Sequence, residues 1–190
     1  MKDIVILGGP NGAGKTTAAR EVLPGLLRGL EFLNADDIAR GIAPDNPESA
    51  AFAAGRLLLA RMKELIRSRR CFVLETTCSG KSYIPILTDC RLCGWSIKLV
   101  YFWLPSPEAS IARVAQRVKE GGHSIPSDAI YRRFRTGLWN MLHLYLPLAD
   151  TAAIYDNSES ERILIAEREN GGTVRVFDQE RWRRMGVLSE

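Results

Sequence analysis

The fold is decided by the stretch Gly8-Gly9-Pro10-Asn11-Gly12-Ala13-Gly14-Lys15-Thr16-Thr17. From Gly9 to Thr16 it has the spacing G-x-x-x-x-G-K-[ST], in which small residues let backbone N–H groups come close to phosphates. We expect Lys15 to reach the β- and γ-phosphates of a nucleotide and the Thr16 hydroxyl to ligate Mg²⁺. An ordinary glycine-rich turn is the alternative.

The segments on both sides of this stretch favour a phosphate-binding loop. Residues 4–7, Ile-Val-Ile-Leu, are a short β-branched run typical of a buried strand. Residues 18–23 follow with a plausible helix whose N-terminus faces the phosphates. We therefore predict a nucleotide cofactor, with its phosphates bound by Gly9, Pro10, Asn11, Gly12, Ala13, Gly14, Lys15, Thr16 and Thr17.

Length and charge narrow the class of protein. The chain has 190 residues and a net charge of +4, which predicts a single domain over 1–190 with a real core. Phosphate ligands explain this mild charge as well as nucleic acid would, and no stripe of interleaved arginines and aromatics suggests a nucleic-acid partner. No apolar run approaches the roughly 20 residues that span a bilayer, and Met1-Lys2-Asp3 leads directly into a strand. We expect a cytoplasmic protein with no membrane contact.

The four cysteines are Cys71, Cys78, Cys90 and Cys93. Cys90-x-x-Cys93 is a lone pair, whereas a zinc site usually has a second such pair or histidines. Reduced, partly buried thiols are predicted.

Apolar runs alternate with segments of helical spacing along the chain. Further strands are predicted at 31–34, 71–74, 96–104 and 152–155, and helices at 50–69, 83–92, 107–120 and from 127 through 142. Ser106 and Ser127 are predicted to cap the last two helices. Residues 162–166 and 173–177 are predicted strands joined by the turn Glu169-Asn170-Gly171-Gly172.

This alternation predicts the fold class. It is α/β, a P-loop NTPase with a mainly parallel five-stranded sheet, helices on both faces and a C-terminal β-hairpin. Ligands of such sheets bind at the carboxyl ends of the strands. Because Thr16, Asp36, Glu75 and Asn157 lie just beyond predicted strand ends, we expect them at one edge of the sheet.

Five motifs in this order resemble the zeta-toxin-like P-loop kinases, most closely their stand-alone bacterial branch. They are GGPNGAGKTT, FLNADDIAR, FVLETTCSG, RVAQRVKEGGHSIP and IYDNS, and they extend from about Ile4 to Ser158. Zeta toxins proper phosphorylate a sugar hydroxyl of UDP-N-acetylglucosamine and are neutralised by a small helical antitoxin. The resemblance thus implies an ATP- and Mg²⁺-dependent kinase, a small-molecule acceptor such as that nucleotide sugar, and an antitoxin partner. Gly121 to Pro126 differs from the best-known toxins, so the kinase activity is better supported than the acceptor.

Asp36 is the predicted catalytic base. It follows the second strand and matches the second acid of the zeta Asp-x-Asp motif, and transfer to an alcohol needs a base near the hydroxyl. Asn34 stands where the first acid would be and is predicted to contact the substrate. The alternative for Asp36 is an N-cap of the next helix, a role that Asp37 also fits.

Glu75 ends the third strand, where an ionised carboxylate is costly without a role or a partner. The resemblance implies that Glu75 and Thr76 bind the acceptor. An alternative is that Glu75 holds Mg²⁺ through water, since no separate apolar run ends in Asp. A capping or salt-bridging glutamate is the third interpretation.

Arg113 and Arg117 are four residues apart and so share one helix face. The glycines and the proline-containing loop that follow predict a lid over about 113–135, and lid arginines can stabilise charge on the γ-phosphate. The resemblance matches Arg113 to a zeta lid arginine and puts His123 near a second one. Arg133 is a predicted substrate contact, and Arg135 belongs to a solvated face.

Asn157 follows the fifth strand and is predicted to border the adenine base, with an ordinary turn as the alternative. Two other functions compete with the kinase. One is a nucleotide hydrolase whose Asp36 orients water, and the other is a P-loop ATPase or nucleotide-binding protein without a small-molecule acceptor. No LSGGQ-like signature supports an ABC-type ATPase.

Overall fold

The structure of the protein is a computed structural model that describes residues 2–22, 24–27, 29–122, 124–159 and 161–189. Among these residues, seven strands form one sheet in the order β2-β3-β1-β4-β5-β6-β7. The strands are β1 (Lys2–Gly8), β2 (Glu31–Asn34), β3 (Phe72–Thr76), β4 (Trp95–Trp103), β5 (Thr151–Asp156), β6 (Ile163–Arg168) and β7 (Arg175–Val176).

The strand directions confirm the predicted fold class. β1 to β5 pair in parallel, and β6 and β7 extend the same sheet as antiparallel strands. β1 lies between β3 and β4, and its residues Ile4 to Leu7 are fully buried. The fold is thus α/β with a mostly parallel central sheet, which the predicted hairpin lengthens.

The register brings three loops to one edge. Asn34 at the end of β2 pairs with Glu75 of β3, and Leu7 of β1 pairs with the same residue. Because parallel strands end on the same side, the loops that follow β1, β2 and β3 meet there, as predicted.

The helices surround the sheet. They are α1 (Lys15–Val22), α2 (Pro24–Leu27), α3 (Ala35–Ile42), α4 (Ala51–Arg67), α5 (Ile84–Leu92), α6 (Pro107–Lys119), α7 (Ser127–Asn140), α8 (Leu146–Leu148) and α9 (Gln179–Ser189). Pro47–Ala50 is a 3₁₀ turn. In the part of the chain described, no helix combines the length and the apolar character needed to cross a bilayer.

One predicted cap is confirmed and the other is wrong. The Ser106 side chain accepts a hydrogen bond from the backbone N–H of Ala109 and caps α6. Ser127 does not cap α7, because it is already the first helical residue and Pro126 precedes the helix. Pro126 keeps an extended ψ of 139°, which places the boundary one residue earlier than predicted.

Two helical features in the C-terminal half of the chain were not predicted. α7 continues through a π-helical segment, Met141–Tyr145, into α8. Pro147 lacks the N–H that a regular helix needs at this point, which fits a local change of hydrogen-bond pattern. α9 packs against α7 and β6 after the end of the predicted hairpin.

Candidate active site

A cleft of about 520 Å³ opens at the carboxyl edge of the sheet. Three walls meet there: the loop between β1 and α1, the ends of β2 and β3, and the helices α6 and α7. The predicted site residues that line it are Asn11, Gly12, Lys15, Thr16, Asn34, Asp36, Glu75, Thr76, Arg117 and Arg133. The cleft therefore collects residues that are far apart in the sequence.

The loop before α1 has the shape that its glycines allow. Gly9, Gly12 and Gly14 have φ angles of 146°, 76° and 67°, which other residues adopt with strain. A Cβ atom on Gly9 would lie 2.4 Å from the Phe102 carbonyl oxygen. Lys15 Nζ donates to the carbonyl oxygens of Gly9 at 3.1 Å and of Pro10 at 3.2 Å. The ammonium group is therefore held over the loop.

Glu75 directly contacts the predicted nucleotide-binding segment, Gly9 to Thr16, which we call the nucleotide loop. Thr16 Oγ1 donates a 2.6 Å hydrogen bond to Glu75 Oε2, and Lys15 Nζ lies 4.0 Å from Glu75 Oε1. The side chains of Lys15 and Glu75 are only 9% and 11% exposed. Glu75 thus forms the salt bridge expected of the third interpretation. Its carboxylate also accepts a hydrogen bond from the Thr16 hydroxyl, the group that is predicted to ligate Mg²⁺.

Three polar residues at the start of α3 have different roles. Asn34 Oδ1 accepts the backbone N–H of Asp36 at 2.8 Å, so Asn34 is the N-cap. Asp37 forms an ion pair with Arg40. The Asp36 carboxylate is exposed and accepts no hydrogen bond from the residues that the structure describes. Neither Asp36 nor Asp37 acts as the cap.

Tyr83 brings a phenol to the same cleft. Burial raises the pKa of Tyr83, and the negative charge of Asp36 raises it further. The phenol is therefore a neutral hydrogen-bonding group beside the carboxylate.

The two arginines of α6 point to different places. Arg117 lines the cleft together with Arg133 of α7. Arg113 instead donates from Nη2 to the Ser158 carbonyl oxygen at 2.7 Å, beside the loop residue Gly12. His123 lies outside the described residues.

Asn157 contacts the nucleotide loop from behind. Its Nδ2 donates to the Ala13 carbonyl oxygen at 2.7 Å, and it does not line the cleft. Of the other predicted nucleotide-binding residues, Gly9, Pro10 and Ala13 are buried, whereas Gly14 and Thr17 are exposed outside the cleft lining.

The loop after β3 is supported by residues that the sequence analysis missed. Asn140 Nδ2 donates to the carbonyl oxygens of Cys78 at 2.8 Å and Ser79 at 3.0 Å, and the Tyr145 hydroxyl donates to Gly80 O at 2.8 Å. A Cβ atom on Gly137 would lie 2.2 Å from Thr77 O. Gly137 lies inside a predicted helix, where a glycine often has a packing reason. This was the sequence signal from which the close approach to Thr77 could have been predicted.

Cys78 lies within this loop with a φ of 59°. Burial raises the pKa of its thiol to about 12, so the thiol is neutral at ordinary pH and unreactive. All four cysteines are free.

The sequence is similar to known proteins. A family model described as an AAA domain matches residues 4–137. A protein of Haemophilus influenzae, described as uncharacterised, is 32% identical over 132 residues, which cover 66% of this chain and 88% of that protein.

Solved structures show the same fold. The AvrRxo1-ORF1:ORF2 complex with ATP has a TM-score of 0.78 at 18% identity; the match covers 100% of this chain but only 65% of that chain. A PezAT toxin-antitoxin structure from Streptococcus pneumoniae has a TM-score of 0.66 at 16% identity, covering 98% and 83%. A gluconokinase from Sinorhizobium meliloti has a TM-score of 0.52 at 18% identity, covering 83% of each chain. These likenesses agree with the P-loop kinase-like fold, and because the family model matches most of the sequence, the chain belongs to this family of AAA domains.

Proposed function

We propose that the protein is an ATP- and Mg²⁺-dependent kinase that transfers the γ-phosphate to a hydroxyl of a small-molecule acceptor. One observation carries this proposal: the cleft that contains Lys15 and Thr16 also contains Asp36, an exposed carboxylate without a hydrogen-bond partner among the described residues. A carboxylate that stabilises the protein would be paired, as Asp37 is with Arg40. Asp36 is instead available to a ligand.

Asp36 acts as the general base in this proposal. It accepts the proton of the acceptor hydroxyl while the oxygen attacks the γ-phosphorus and the bond to ADP breaks. Its exposure leaves the carboxylate accessible to a bound acceptor. Asn34 and Thr76 line the same cleft and are proposed to contact the acceptor.

The donor set beside Lys15 fits Mg²⁺. Thr16 and Glu75 supply a hydroxyl and a carboxylate, which are the oxygen ligands that Mg²⁺ prefers, and the ion is usually held by one or two carboxylates together with substrate phosphates. Among the described residues no group of three or more His, Cys, Asp or Glu forms a metal cage, and a nucleotide-bound Mg²⁺ does not need one. When bound, Mg²⁺ neutralises charge on the β- and γ-phosphates. We therefore place Glu75 with the metal rather than with the acceptor.

Arg117 and Arg133 are proposed to stabilise the charge on the transferred group. Both line the cleft, and Arg133 has no carboxylate partner in the described part of the chain. Arg113 is proposed to position the loop after β5, because its guanidinium group is bonded to Ser158. This assignment gives Arg117 the larger share of catalysis, contrary to the order that the sequence resemblance implied.

UDP-N-acetylglucosamine is the first candidate acceptor, and a small helical antitoxin is the candidate protein partner. Both rest on the motif resemblance to zeta toxins. The ATP complex of AvrRxo1 and the PezAT structure agree in fold, which supports ATP as the nucleotide.

The test is a screen of nucleotide sugars and other polar metabolites with γ-labelled ATP and Mg²⁺. We expect one acceptor to become labelled and the Asp36→Asn variant to leave it unlabelled. Release of labelled phosphate at the same rate with every acceptor would identify a hydrolase and overturn the kinase proposal. If the activity is toxic, expression should arrest growth, and Asp36→Ala should relieve the arrest.

A further inference from the structure

We propose that Arg181, on the C-terminal helix α9, is a positioning residue for the nucleotide-binding loop. This inference rests on the proposed function insofar as the ligand of that loop is a nucleotide. Arg181 lies beyond residues 4–137, which the family model matches, and on a helix that the sequence did not predict.

Arg181 is held between two aspartates. Its Nε donates to Asp156 Oδ2 at 2.8 Å, and its Nη1 donates to Asp178 Oδ2 at 2.6 Å. Asp178 also accepts the backbone N–H of Arg181 at 2.9 Å, which fixes the first turn of α9. The guanidinium group therefore has a set position relative to the sheet.

The buried carboxylate of Asp156 depends on Arg181 for charge compensation. It is the last residue of β5 and is only 4% exposed. A buried carboxylate without a cation is strongly unfavourable, and Arg181 is the cation that forms an ion pair with it among the described residues. The pairing thus directs the Asp156 carboxylate toward α9.

The other oxygen of Asp156 orders the next two residues. Oδ1 accepts the backbone N–H of Ser158 at 2.9 Å, which closes a tight turn around Asn157. Within this turn Asn157 Nδ2 donates to Ala13 O, and Ser158 O accepts from Arg113. Three consecutive residues thereby connect α9 to the nucleotide loop and to α6.

The contact with Ala13 affects phosphate binding through peptide geometry. The Ala13 carbonyl and the Gly14 N–H belong to one planar trans peptide and point in opposite directions. When Asn157 holds the carbonyl toward the rear, the Gly14 N–H is directed away from Asn157, as a phosphate-binding loop requires. Loss of Arg181 frees the turn, and this N–H loses its fixed orientation.

The expected signature is a loss of nucleotide affinity without a loss of the chemical step. The side-chain hydrogen bonds of Arg181 go to Asp156 and Asp178 and, among the described residues, none goes to Asp36 or Thr16, so transfer from bound ATP should keep its rate. A purely structural role would lower thermal stability and leave the affinity of the folded protein unchanged.

The experiment measures ADP binding by calorimetry, with thermal unfolding in parallel, for Arg181→Met, Arg181→Lys and the control Arg183→Met. Arg183 is on the same helix, exposed, and forms no hydrogen bond or ion pair with the described residues. We expect Arg181→Met to weaken ADP binding about tenfold, Arg181→Lys to weaken it less, and Arg183→Met to change nothing. Unchanged affinity in a folded Arg181→Met variant would overturn the inference.

A double-mutant cycle with Asn157→Ala tests the route. If Arg181 acts through Asn157, the double variant should bind ADP no more weakly than Asn157→Ala alone; additive losses would contradict this. If Arg181→Met does not fold, Arg181→Lys takes its place in the cycle with the same criteria. Failure of the unsubstituted protein to bind ADP would overturn the proposed function together with this inference, whereas normal binding by all variants would overturn this inference alone.

Discussion

The two sides of the nucleotide loop differ in how their charges are paired. On the cleft side, Asp36 and Arg133 have no hydrogen-bond or ion-pair partner among the described residues. On the rear side, hydrogen bonds of 2.7–2.9 Å join Asn157 to Ala13 of the loop, Asp156 to Ser158, and Arg181 to Asp156. The first set is available to ligands, and the second maintains the shape of the loop.

Exposure explains the difference. Asp36 is exposed, so water stabilises its charge at little cost, whereas Asp156 is 4% exposed and depends on Arg181. Substitution of the unpaired cleft residues Asp36 and Arg133 should therefore impair function and spare stability. Substitutions on the rear side should lower stability and nucleotide affinity together.

Lys15→Ala should have the largest effect and abolish detectable turnover, because it removes the cation held over the phosphate loop. The fold should remain intact. Activity, ATP affinity and thermal unfolding are measured, with the exposed Lys63→Ala as the matched control. Undiminished turnover would contradict the assignment of Lys15 to phosphate binding.

Asp36→Asn should bind ATP normally and lose transfer by roughly 10²–10⁴-fold, the range for loss of a general base. Its thermal midpoint should change by less than about 2 °C, since the carboxylate has no bonded partner to lose. Asp37→Asn is the matched control, because that neighbour also lines the cleft but is paired with Arg40. Near-native transfer by Asp36→Asn would make Glu75 the next candidate base.

The variants Arg117→Met and Arg113→Met compare the cleft side of the nucleotide loop with its rear side, because both arginines lie on helix α6. Arg117→Met should lower kcat by roughly 10²-fold with a smaller change in the KM for ATP. Arg113→Met should lower the thermal midpoint by about 2–4 °C and weaken ATP binding, because it removes the bond to Ser158. The reverse pattern in steady-state kinetics would restore Arg113 as the arginine at the γ-phosphate.

Hydrogen exchange should show the smallest effect, and only in part of α6. The Ser110 hydroxyl donates to the Asn11 carbonyl and attaches the first half of this helix to the nucleotide loop. We expect ATP and acceptor together to slow exchange over 115–122 and 124–127, while residues 107–113 keep their protection. Equal exchange over 115–127 with and without ligands would argue against a closing lid.

Much of the fold was predictable because its signals are local. The apolar runs specified the parallel strands to within about two residues, and Gly8 to Thr17 specified the loop between β1 and α1. α9 was missed because Gln179–Ser189 mixes arginines with few apolar residues and gives no clear helical face. The same absence of a local signal concealed Asn140 and Tyr145, whose value lies in contacts 61–65 positions away.

The sequence by itself determined the chemistry available at the edge of the sheet: a phosphate loop, carboxylates after two strands, and arginines on two helices. Tertiary structure decided which of these groups meet. It directed Arg117 to the cleft and Arg113 to Ser158, placed Glu75 on Thr16, and set Asn157 behind Ala13. The physical reason is that residue type and spacing fix a side chain's charge and its place on an element, whereas its partner depends on how elements distant in the chain pack together.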